Sequence, residues 1–174
     1  MNASNAAALT VHVIPPHPLA PDDRWMASFP LRAFMEYGAY RTAPGSARGL
    51  VRNALEEWRL DAFEEKASLV VTELTTNSVI ATEQVAWEAG RPPIRLWLLA
   101  GPDGVLVAVW DAVTTSPRQR VAGDLDENGR GLGIVDAYCA RWDCYRPPAP
   151  YGGKVTRALI SDPHTEGSEP YRGR

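Results

Sequence analysis

The chain has 174 residues, 45% hydrophobic and 22% charged, a composition typical of a globular protein and too apolar for a disordered one. Its 18 basic and 21 acidic residues give a net charge of −3, which argues against direct binding to a nucleic-acid backbone. Because no apolar run reaches about 18 residues and the start lacks a signal-peptide layout, we expect a cytoplasmic protein without membrane contact.

The ends of the chain differ from its middle. Residues 1–24 contain four prolines and no lasting period of apolar residues, which predicts an irregular proline-rich arm. The tail of residues 162–174 is similarly polar and is expected to be flexible. The sequence therefore predicts one domain, formed by residues 25–161.

The first predicted elements are a strand and two helices. The strand lies within residues 25–40, which are rich in aromatic and apolar side chains. Pro44 fits the first turn of a helix whose apolar face runs to Trp58. Asp61 and Glu64 stand at the spacing of a capping box and predict a second helix reaching about residue 83.

The second half is predicted to be mostly strands. Residues 94–100 and 104–111 form a β-hairpin joined by the turn signal GPDG, and a polar loop of residues 112–128 follows. A glycine-rich turn then leads into a short helix, with strands near residues 141–146 and 154–160. This order predicts an α+β fold, a two-layer sandwich with helices on one face of a mixed, mostly antiparallel sheet.

The long helix carries the first candidate site. Glu73 and Asn77 are four residues apart and therefore share one face, at the rim of an apolar stripe. An amide oxygen and a carboxylate suit a divalent cation, and the carboxylate also suits the orientation of a nucleophile. An ordinary exposed polar face is the alternative.

Asp111 is the second candidate. It continues a row of alternating valines, Val105, Val107 and Val109, at the point where the strand ends. Such an acid suits hydrogen bonding to an exocyclic amine of a ligand, and capping of the following turn is the alternative.

The third candidate is a glycine-rich helix start. Glycines allow a ligand to approach the backbone closely, and a helix N-terminus presents free N–H groups to anions. Arg130 would add a charge-assisted contact to phosphate. A flexible hinge is the alternative for this stretch, which comprises Gly129, Arg130, Gly131, Leu132 and Gly133.

In chain order, these features resemble the ATP-binding module shared by gyrase, histidine kinases and heat-shock chaperones, known as the Bergerat fold. Within that superfamily the chain is similar to the bacterial anti-sigma factor serine kinases. Residues 73–78 (ELTTNS) match the N-box, Trp110 and Asp111 the first glycine box, and residues 129–133 the second. The Gly-Gly-Lys turn at 152–154 also fits, so the resemblance covers about residues 25–161.

The resemblance implies a role for each matched residue. Asn77 would ligate the Mg²⁺ that bridges the phosphates of ATP, and Glu73 would act as the general base or orient the attacking group. Asp111 would accept the adenine amino group, and residues 112–128 would form a lid. Further nucleotide contacts would come from Gly129, Arg130, Gly131, Leu132, Gly133 and Thr156.

The chain also departs from the family pattern. No glycine follows soon after Asp111, and Val155 stands where a threonine often helps to hold adenine. Thr156 comes one step later, on the opposite strand face. Lys154 is expected to solvate the hairpin tip, and contact with a phosphate is the alternative.

The resemblance implies a serine/threonine protein kinase that uses ATP and Mg²⁺. Its substrate would be an anti-sigma factor antagonist, its second partner a sigma factor, and a homodimer is a further expectation. The alternative is a protein-binding switch of the same fold without phosphoryl transfer, which the altered glycine box and Val155 favour.

Overall fold

The computed structural model describes residues 28–115 and 131–161, which form five strands and three α-helices. The predicted arm of residues 1–24, the tail of 162–174 and positions 116–130 lie outside the described residues. In chain order the elements are β1 (Leu31–Gly38), α1 (Ala43–Trp58), α2 (Glu64–Glu83), β2 (Pro93–Gly101), β3 (Gly104–Asp111), α3 (Gly131–Tyr138), β4 (Arg141–Tyr145) and β5 (Lys154–Ile160).

The strands form one sheet in the order β1-β2-β3-β5-β4. Each of its four pairings is antiparallel, so the described strands contain no parallel pair of the kind that a mixed sheet would have. The architecture is α+β, an antiparallel sheet with three described helices, and it is compatible with the predicted two-layer sandwich.

The main core lies between the sheet and the helices. Alternate residues of β2, β3 and β5 point into it and meet the apolar faces of α1 and α2. The other side of the sheet is also buried, around Trp97, Leu99 and Trp110, and Phe29 just before β1 joins this second cluster. Both faces of the central strands are therefore apolar, as the long valine and leucine runs of β2 and β3 require.

The two long helices begin differently from one another. Pro44 lies in the first turn of α1, as predicted, where its missing N–H is harmless. The capping box proposed for α2 is wrong: Asp61 opens a short 3-10 turn, Asp61–Phe63, and Phe63 precedes the helix with no side-chain cap. The backbone tightens there, so the Asp61 side chain does not cap α2 as the spacing suggested.

The predicted β2–β3 hairpin is confirmed. Gly101 faces Gly104 across the turn, and the register runs from this pair to Arg95 opposite Trp110. Val105, Val107 and Val109 all point into the core beneath the helices. Asp111 lies one period further, so its side chain falls on the helix-covered side of the sheet, where β3 ends. Within the described parts of the chain, no helix is long and apolar enough to cross a membrane.

Candidate functional site

A buried ion pair lies at the end of β3. Asp111 is 0% exposed and Lys154, its register partner at the start of β5, is 5% exposed. The Lys154 Nζ donates to Asp111 Oδ1 at 2.7 Å, and the backbone N–H of Val113 donates to the same oxygen at 3.0 Å. The turn-capping interpretation of Asp111 is thus confirmed for one of its two carboxylate oxygens.

The other carboxylate oxygen is different. Asp111 Oδ2 is buried and has no hydrogen-bond partner among the described residues. Burying a polar atom without a partner costs about 1–3 kcal/mol, and more for a charged group. An acceptor kept in this state fits a site whose missing donor is supplied by a ligand.

The prediction that Lys154 solvates the hairpin tip is wrong. Its ammonium group is buried, and it also lies 3.4 Å from the carbonyl oxygen of Val113. A lysine is rarely buried unless it is paired, and here the carboxylate of Asp111 provides the pair. Lys154 therefore belongs to the same site as Asp111.

The turn before β5 holds this pair in register. Gly152 and Gly153 have φ angles of 62° and 66°, a left-handed conformation that favours glycine. A Cβ at Gly153 would overlap the carbonyl oxygen of Asp111, whereas one at Gly152 would meet no atom within 4 Å among the described residues. Trp110 Nε1 donates to the Gly152 carbonyl at 3.0 Å. Only a glycine at 153 lets β5 begin this close to the end of β3.

We expect Gly153→Ala to lower the free energy of unfolding by about 2 kcal/mol or more, because it combines left-handed strain with a backbone overlap. Gly152→Ala is the matched control, since it carries the same strain without the overlap and should lose about 1 kcal/mol. Urea unfolding of the two variants measures the difference. Equal losses at both positions would contradict the close approach of the two strands.

Thr156 and Val155 face opposite sides of β5. Thr156 pairs with Val109 on the helix-covered side and is 6% exposed, so it shares a sheet face with Asp111. Its hydroxyl donates to Cys144 Sγ on β4 at 3.5 Å. Val155 lies in the apolar cluster on the other side of the sheet. On β5, the hydroxyl that lies on the same side of the sheet as Asp111 therefore belongs to Thr156.

The cysteines are buried in part and unreactive in character. Burial raises the pKa of Cys144, although the Thr156 hydrogen bond and the charge of Lys154 act in the opposite direction. Burial and the charge of Asp136 raise the pKa of Cys139 to about 12. Both thiols are therefore protonated at neutral pH, which disfavours nucleophilic or redox chemistry.

Glu73 and Asn77 are half-buried on α2. This helix packs against both β3, which ends at Asp111, and α3. Burial raises the pKa of Glu73, which brings its carboxylate closer to the range of an effective base. Thr75, between them in sequence, is buried and its Oγ1 has no hydrogen-bond partner among the described residues.

Glu73 also reaches a surface groove. The groove has a volume of about 570 Å³ between α1 and α2, and Arg48, Leu69 and Thr72 line it together with Glu73. Arg48 donates to Thr72 Oγ1 at 3.3 Å, which ties the two helices together across the groove. Glu73 is therefore accessible from outside the protein along this groove.

The second glycine box is described only in part. Gly129 and Arg130 lie outside the described residues. Gly131 and Leu132 open α3, which thus begins inside the glycine-rich stretch and not after it. At Gly133, which is exposed, an added Cβ would meet no described atom within 4 Å, so packing alone does not require a glycine there. Contacts from this box to a phosphate stay a prediction.

The residues present fit a cation that is held mainly by a nucleotide. No group of three or more His, Cys, Asp or Glu residues that could hold a metal by itself occurs in the described ranges. Asn77 and Glu73 offer an amide oxygen and a carboxylate oxygen, and Mg²⁺ in phosphate-binding sites is often held by one or two protein oxygens plus the phosphates.

The fold and site together define an α+β protein with an antiparallel sheet and a buried carboxylate, Asp111, that is only partly satisfied by hydrogen bonds. Comparison with known protein families finds no match for this chain, and a search of curated proteins finds none either.

Sequence reasoning did not predict that Lys154 is buried and paired with Asp111. The sequence shows only a lysine beside two glycines at a strand start, and its partner Asp111 is 43 residues away.

Proposed function

We propose that this chain is a Bergerat-type ATP-binding protein that acts as a serine/threonine kinase on an anti-sigma factor antagonist. The observation that carries the proposal is the buried Asp111 carboxylate, which keeps one oxygen without a hydrogen-bond donor. The adenine amino group would supply that donor. The antiparallel sheet with helices packed on one face is compatible with such a protein.

The remaining residues of the site would act on the phosphates. When ATP and Mg²⁺ are bound, Asn77 would hold the cation and the cation would neutralise phosphate charge. Glu73 would accept the proton of the substrate hydroxyl while the hydroxyl oxygen forms a bond to the γ-phosphorus. The bond between that phosphorus and the oxygen that links it to the β-phosphate would break, and ADP would leave. Phosphoryl transfer needs mainly positioning and charge neutralisation, so a small site is sufficient.

The position of Glu73 supports a protein substrate. Its side chain lines the open groove between α1 and α2, so a segment of a partner protein has a path to it. Burial raises the pKa of Glu73, which makes its carboxylate a stronger base.

A non-catalytic protein-binding switch is the second candidate. The observation that favours it is the Lys154 ammonium group, which already occupies Asp111 Oδ1 and fills part of the site with a protein side chain. Val155 also favours the switch. It stands where the family often has a threonine that helps to hold adenine, and its side chain faces away from Asp111. Such a protein would bind its partner without needing ATP.

Nucleotide binding separates the two candidates. We expect Mg·ATP to raise the melting temperature of the full chain, because a ligand at 100 times its Kd stabilises a protein by about 2.7 kcal/mol. Titration calorimetry with Mg·ATP, and with Mg·GTP as a control for the base, measures the binding directly. Absence of both heat and stabilisation at millimolar nucleotide would exclude the kinase and leave the switch.

A further inference from the structure

We propose that Lys154 is a positioning residue of this site: it holds Oδ1 of the Asp111 carboxylate, so that Oδ2 is turned to serve as a ligand acceptor. The inference rests on the proposed nucleotide binding. It concerns a residue whose side chain contacts Asp111 and the Val113 carbonyl oxygen.

The first step of the argument is orientation. A carboxylate can rotate about its Cβ–Cγ bond, so either oxygen could in principle face a ligand. Two donors, the Lys154 Nζ and the Val113 N–H, hold Oδ1 at 2.7 and 3.0 Å. The other oxygen is thereby fixed as the one without a partner.

The second step is the strength of the contact. A hydrogen bond from an ammonium group to a carboxylate is charge-assisted and stronger than one between neutral groups. The Lys154 Nζ lies 2.7 Å from Asp111 Oδ1, closer than the backbone N of Val113 at 3.0 Å. Lys154 therefore makes the stronger of the two contacts that fix Oδ1.

The third step is the role of Lys154 itself. It is 5% exposed, and its ammonium group is directed at Asp111 Oδ1 and at the Val113 carbonyl oxygen. The close approach of Gly153 to the Asp111 backbone sets this geometry. Lys154 therefore acts on a ligand through Asp111.

Few other titratable groups face the pair. Cys144 on β4 interacts electrostatically with both Lys154 and Asp111, but its burial raises the pKa of the thiol and it stays neutral near pH 7. On α2 the residues buried toward the sheet are apolar or carry hydroxyls, and Glu73 is the acidic group of the site on that helix. Within the described residues, Lys154 is thus the cation that pairs with Asp111.

The test compares the Kd for Mg·ATP of the full wild-type chain, Lys154→Met and Lys154→Arg, measured by titration calorimetry. Lys154→Met removes the side-chain donor to Oδ1, so the carboxylate is no longer fixed with Oδ2 toward the ligand. We expect its Kd to rise about tenfold or more, the usual effect of losing a hydrogen bond between charged groups. Lys154→Arg keeps a charged donor and should restore a Kd within about twofold of the wild-type value.

Arg157→Met is the matched control. Arg157 forms a bidentate pair with Asp143, at 2.7 Å to each oxygen, on the opposite face of β5 from Lys154, and its removal should leave the Kd for Mg·ATP unchanged. If Lys154→Met does not fold, Lys154→Gln takes its place: its shorter, uncharged side chain holds Oδ1 less firmly, so its Kd should also rise while that of Lys154→Arg does not.

Three results would overturn the inference. A Kd raised equally by Lys154→Met and Lys154→Arg would mean that only the packing of the side chain matters, a purely structural role. Equal or tighter binding by Lys154→Met would mean that Lys154 merely competes with the ligand. If the wild-type chain itself does not bind Mg·ATP, the proposed function fails first and the role of Lys154 falls with it, whereas the other two results leave nucleotide binding intact.

Discussion

Asp111→Ala is expected to destabilise the protein by about 3–5 kcal/mol, because it leaves the buried Lys154 ammonium without its partner. Native domains are stable by only about 5–15 kcal/mol, so the loss will be plain in a urea unfolding curve. The same substitution removes the unpartnered oxygen, so nucleotide binding should disappear as well.

Asp143→Ala provides the control for this prediction. Asp143 also pairs with a cation, Arg157, but its side chain is 51% exposed, and exposed pairs contribute only about 0–1 kcal/mol. Similar losses in the free energy of unfolding for Asp111→Ala and Asp143→Ala would show that burial of the Asp111 pair has no energetic consequence.

A double variant separates stability from binding. Replacing both members of a buried ion pair by apolar residues of similar size is often neutral, so Asp111→Leu with Lys154→Met should recover most of the lost stability. It should not recover nucleotide binding, because no carboxylate oxygen returns. Binding of Mg·ATP by a stable double variant would show that Asp111 does not accept the hydrogen bond of the adenine amino group.

Glu73→Ala is expected to lower phosphoryl transfer by about 10²–10⁴-fold, the usual contribution of a general base, while Mg·ATP still binds. The measurement is transfer from γ-labelled ATP to the antagonist protein recovered with the chain from native cells, alongside calorimetry on the same variant. The fold should survive, since Glu73 is only half-buried and lies at the edge of a groove.

Glu65→Ala is the matched control for Glu73. Glu65 lies on the same helix and lines the same groove, but it is exposed. Its removal should leave transfer within about twofold of wild type, as for most exposed surface changes. Unchanged transfer by Glu73→Ala would refute its role as the base, and loss of ATP binding would assign Glu73 to the nucleotide instead.

Local patterns predicted the elements well. The GPDG turn and the alternating valines placed the β2–β3 hairpin and the side of the sheet on which Asp111 falls. The capping box before α2 failed because side-chain spacing does not reveal that the backbone tightens into a 3-10 turn at Asp61. The spacing of apolar residues and the residue types that favour turns depend only on residues close together in the chain, so they can be recognised in the sequence directly.

By itself, the sequence determined the strands, the helices and the candidate carboxylates of this protein, because these depend on residues a few positions apart. Only the tertiary structure decided that Lys154 is buried against Asp111 and that Thr156, not Val155, shares its face of the sheet. Both facts depend on β3 and β5 becoming neighbours in one register, although 42 residues separate the two ends. That pairing is set by the packing of the whole sheet beneath its helices, and no short stretch of sequence encodes it.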